Sequence, residues 1–67
     1  MTDTEFLKDK IKQSGYKNYF IAEKIGISRQ SFLNKLNNRS EFKAGEIQKL
    51  FDLLGLNEKE RTSIFFS

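Results

Sequence analysis

Apolar residues recur along this chain three and four positions apart, in short stretches that mostly close on a glycine. Spacing of that kind predicts amphipathic helices, and no alternating stretch competes for a strand. Leu7 and Ile11 are the i, i+4 pair of a first helix, with Phe6 beside them. Asp3 or Thr4 is placed to cap its start, Met1 and Thr2 are expected to fray, and the helix should run to about Ser14 before Gly15 stops it. Ile21, Ala22 and Ile25 form the inward stripe of a second helix that ends at Gly26. Lys17 and Asn18 compete for its cap position; lysine caps poorly, which favours Asn18. Ile27 points back to the core, Ser28 offers a capping hydroxyl, and Phe32 and Leu36 are the inward pair of a third helix.

Two short helices joined by a glycine turn, with a small Ala22 where the second must cross closely over the first, read as a helix-turn-helix over about residues 18–37. Opposite its apolar stripe the third helix carries Arg29, Gln30, Leu33, Asn34 and Asn37. That face is rich in groups that hydrogen-bond base edges, whereas a plainly solvated face would be mostly Glu and Lys.

Asn37 to Lys43 is the one polar loop, pinned by the single hydrophobe Phe42. Ile47, Leu50, Phe51 and Leu54 then fall at i, i+3, i+4 and i+7, a complete core stripe closed by Gly55. Asn57 and Glu60 have capping-box spacing, and Leu56 precedes them as a hydrophobic staple. The fifth helix ends in Ile64, Phe65 and Phe66, more apolar surface than one short helix is expected to bury. One reading makes these three residues, within a tail of about 57–67, a dimer interface. The plainer reading has Ile64 and one Phe closing the monomer core.

These residues carry a resemblance. Ala22, Gly26, the flanking Ile21, Ile25 and Ile27, and the run SRQSF leading to Leu36 resemble the phage Cro/repressor-type helix-turn-helix family, over roughly Leu7 to Leu56. Two positions depart from its pattern: Asn18 stands for the usual Gln, and Asn37-Asn38 for the frequent Asn-Gly after the recognition helix. The resemblance implies an all-α, five-helix, repressor-like DNA-binding domain, here a single domain spanning 1–67. It also implies a phage or prophage regulator acting in the cytoplasm of a bacterial host, on the nucleoid when bound.

Composition narrows the alternatives. With 67 residues and no Cys, stability must come from packing, and the seven Phe together with the Leu and Ile residues supply a core. The absence of Cys and His removes thiol and imidazole chemistry and the usual zinc sites. No apolar run is long enough to span a bilayer and no signal-like start is present, so a cytoplasmic location without membrane association is expected. No phosphate-cradling glycine loop or carboxylate pair suggests an enzyme, a cofactor or a metal.

Net charge is +3, but its distribution is uneven. Between Lys8 and Lys43 nine basic residues (Lys8, Lys10, Lys12, Lys17, Lys24, Arg29, Lys35, Arg39, Lys43) face three acidic ones (Asp9, Glu23, Glu41), a balance of +6. The flanks sum to −2 and −1. Positive charge gathers on the motif, as a phosphate footprint requires, although a solvated lysine surface would look similar.

The function expected is therefore sequence-specific double-stranded DNA binding at a palindromic operator, by a homodimer that is weak in the absence of DNA. Arg29, Gln30, Asn34 and Leu33 are the expected base readers, with an ion pair to Glu23 or a phosphate contact as the alternative role for Arg29. Lys17, Asn18, Ser31, Asn38, Arg39, Ser40 and Lys43 are the expected phosphate contacts. Lys8 and Lys12 share a face of the first helix and are assigned to solvent. With no second domain, no small-molecule effector is expected. A different class of function, a protein-interaction module such as an antitoxin or adaptor, would use the same scaffold and dock through the Phe-rich tail.

Overall fold

The computed structural model describes residues 2–65. Over these the chain is all-helical: α1 Thr4–Ser14, α2 Asn18–Ile25, α3 Arg29–Leu36, α4 Ala44–Leu54 and α5 Glu58–Phe65. The stops are those expected, with Gly15, Gly26 and Gly55 all in the left-handed region at φ 77°, 83° and 65°. Asp3 caps α1 by accepting from the Phe6 N–H, and Ser28 caps α3 by accepting from the Ser31 N–H. Asn57 and Glu60 bond each other's backbone N–H groups at 2.8 and 3.1 Å, completing the capping box that starts α5.

α2 differs from the favoured expectation. Lys17 occupies the N-cap position without a side-chain bond, and Asn18 is the first helical residue.

One cluster of buried residues unites the helices. Leu7, Ile21, Phe32, Leu50 and Ile64 lose all their exposure, while Ala22 keeps 1 % and allows α2 and α3 to cross closely. Thr2 does not fray as expected: it and Thr4 are buried, and the Asp3 N–H donates to the Ile64 carbonyl, because α5 packs back against α1; Met1 lies outside the described residues.

That packing decides between the two readings of the tail, for core closure by Ile64 and one Phe and against an interface built on them. Ile64 is fully buried and Phe65 keeps only 6 % exposure, so neither is available as a dimer surface. Phe65 meets Phe42 edge-on at 5.9 Å, and Phe42 meets Phe32 at 6.2 Å, so three rings 32, 42 and 65 join α3, the loop and α5 in one row. Phe66 lies outside the described residues.

Candidate nucleic-acid interface

α2 and α3 meet through a turn fixed by backbone bonds: the Gly26 N–H reaches the Glu23 carbonyl at 3.2 Å and the Ile27 N–H reaches the Ala22 carbonyl at 3.0 Å. These close a Schellman motif. Phe32 and Leu36 anchor the inner face of α3, which fixes what its outer face presents. Arg29 and Gln30 are exposed, and Leu33 and Asn34 are half-buried beside them. Arg29 makes no ion pair with Glu23; its guanidinium is unengaged. Gln30 Nε2 donates to Asn34 Oδ1 at 3.1 Å, so the two amides form an ordered pair one turn apart.

The end of α3 is a second Schellman motif. Asn38 takes φ 61°, its N–H reaches the Lys35 carbonyl at 3.2 Å, and the Arg39 N–H reaches the Asn34 carbonyl at 2.9 Å. The asparagine thus does the conformational work more often left to glycine at a helix C-terminus. Its side chain donates to Thr4 Oγ1 at 3.3 Å, a tie to α1 that spacing along the chain gave no hint of. Arg39 and Ser40 follow, exposed, and Lys43 is exposed at the start of α4. Ser31 is half-buried and its hydroxyl accepts from Ser28 at 3.0 Å, so it belongs to the cap of α3 as much as to the surface.

The two helix starts are not equivalent. α2 has neither a side-chain cap nor an acidic residue in its first turn; the other four helices have one or both. Its first N–H groups and positive dipole end, beside the exposed Lys17, therefore suit an anion. At α4, Glu46 bends back to accept the Lys43 N–H at 3.0 Å, which spends that donor internally.

Glu46 also changes the charge picture. Lys35 Nζ lies 2.6 Å from its Oε1, with both side chains about nine-tenths buried. Burial pushes the Glu46 carboxyl up, but the Lys35 hydrogen bond, the Lys43 N–H and the charges of both lysines outweigh it and hold the carboxyl below its ordinary value. Lys10 is paired likewise with Glu60 at 2.7 Å, and this bond, with the Asn57 N–H, lowers the Glu60 carboxyl. Two of the nine basic residues of the motif region are thus withdrawn into the fold by acids of the C-terminal half. A partial signal for the first pair was present in the sequence, since Lys43 and Glu46 stand at the spacing of a reciprocal cap.

Between α1 and α3 lies an open groove with a volume of about 270 Å³. Ile11, Leu33 and Leu36 give it apolar walls, while Lys8, Lys12, Asn18 and Asn37 give it polar ones. Among the described residues no carboxylate lines it.

A family model, described as "Protein of unknown function (DUF739)", matches residues 2–67. The chain belongs to this family. No curated protein and no solved structure matches it significantly. The DUF739 description names no activity. No helix among the described residues is long and apolar enough to cross a membrane.

Proposed function

We propose that the protein is a sequence-specific double-stranded DNA-binding transcriptional regulator of the phage Cro/repressor type, with α3 lying in the major groove. The observation that carries this reading is the outer face of α3, where an unengaged Arg29 stands beside the ordered amide pair Gln30 and Asn34. Arginine matches guanine O6 and N7 with two parallel bonds, and a glutamine or asparagine amide matches adenine N6 and N7. Leu33, on the same face, offers an apolar contact of the kind thymine methyl groups accept.

Phosphate contacts flank that helix. Lys17 and Asn18 at the uncapped start of α2 hold one side, and Arg39, Ser40 and the Lys43 ammonium hold the other. Asn38 and Ser31 contribute what their structural bonds leave over, the second amide hydrogen of Asn38 and the hydroxyl hydrogen of Ser31. Two copies on a palindromic operator complete the reading, since one small module covers too little DNA to single out a site. A protein-interaction module docking through the tail is disfavoured because Ile64 and Phe65 are buried.

Fluorescence anisotropy of a labelled duplex across a range of salt tests the reading. Binding whose affinity falls linearly with salt on a log-log scale, by about 0.9 per phosphate contact, is expected. No binding to any duplex at low salt would sink it.

A further inference from the structure

We propose that the groove between α1 and α3 seats the sugar-phosphate strand running beside the bases that α3 reads, with Lys8 and Lys12 as phosphate ligands; this rests on the DNA-binding reading above. It reverses the expectation that these two lysines merely face solvent. The groove shares Asn18 and Leu33 with the interface already described, so a duplex engaged by α3 and by the start of α2 runs along its mouth. The groove's chemistry is that of a nucleotide backbone rather than of a protein partner. Ile11, Leu33 and Leu36 suit deoxyribose carbons, the Lys8 and Lys12 ammonium groups suit phosphates, and the Asn18 and Asn37 amides can donate to either oxygen type.

Both lysines are available for this. Lys12 is exposed with no ion pair, and Lys8 has only Glu5, 4.0 Å away and 87 % exposed, a pairing that water and salt weaken. Lys10, on the same helix, is instead held by Glu60 outside the groove. α1 thereby divides its lysines, one for the fold and two for the groove.

Anisotropy titrations with a random-sequence duplex over a range of salt, on Lys8→Gln, Lys12→Gln and Lys12→Arg, test this, with Lys59→Gln on the exposed start of α5 as the control. Each Gln variant is expected to weaken all duplexes alike and to lower the log-log salt slope by about one. Lys12→Arg and Lys59→Gln should keep the original slope. Far-UV circular dichroism checks that the variants stay helical, as substitutions at partly or fully exposed positions should. If the unsubstituted protein binds but both Gln variants keep its slope, the strand does not run over this groove and the DNA-binding reading survives. If the unsubstituted protein binds no duplex, both fall together.

Discussion

Gln30 and Asn34 restrain one another before any ligand arrives, since each amide is held by the other across one helical turn. Ordering two flexible side chains in advance lowers the entropic cost of docking them on base edges. Their replacement should consequently be non-additive. Gln30→Ala and Asn34→Ala are each expected to relax preference at one or two base positions by about 1–3 kcal/mol. The double variant should fall short of or exceed their sum by at least about 0.5 kcal/mol. Additive losses in competition binding against single-base operator variants would mean that the pair does not act as a unit. Glu46 makes a second residue-scale claim, this one about stability. Because its folded carboxyl titrates below the unfolded value, its contribution is complete above about pH 4.5 and is lost as pH falls through the folded value. Glu46→Gln strands the buried Lys35 charge and should cost about 3 kcal/mol at neutral pH. Chemical denaturation between neutral and acidic pH should also show a shallower acid limb than the parent, with Glu60 supplying what remains in the same direction. An unchanged acid limb would remove Glu46 from that role.

At the scale of elements, the helices were legible because their ends are written in local chemistry. Gly15, Gly26, Gly55, Ser28 and the Asn57–Glu60 box each act within four residues of where they stand. What the sequence did not reveal depends on partners far along the chain. Lys35 lies beside the inward stripe of α3 and would pass for a solvated lysine without Glu46, eleven residues on. Lys8 and Lys12 look like one plain solvent stripe until α3 closes the groove beside them. For Phe65 the sequence left two readings open, interface or core, and the row of rings through Phe42 to Phe32 decides for the core. The outer face of α3, by contrast, could be read from helical period once Phe32 and Leu36 were assigned inward. The position of α5 has a direct test. Phe65→Ala should lower stability by about 3–5 kcal/mol, the cost of emptying a packed site, and the loss should not depend on protein concentration. A loss that vanishes on dilution, measured by thermal denaturation at several concentrations, would return Phe65 to an interface between subunits.

For the whole molecule, size bears on the paired binding proposed above. The domain measures 27 × 23 × 20 Å, shorter in every direction than the roughly 34 Å of one DNA turn. On the proposed function, one copy would cover a half-site and leave room for a second on the same face. A single module of this kind buries about 600–1,000 Å², which supports attachment to DNA more readily than choice of one site. If the protein binds DNA as proposed, the withdrawal of Lys10 and Lys35 into ion pairs lightens the general electrostatic attraction and leaves more of that binding to the face of α3. Selection of bound duplexes from a fully randomised pool tests the central claim most directly. The protein should enrich a palindrome whose half-sites lie one helical turn apart, with Asn34→Ala relaxing the preference at the same positions in both halves. Enrichment of no sequence, or of one that Arg29→Ala, Gln30→Ala and Asn34→Ala all leave unaltered, would contradict it.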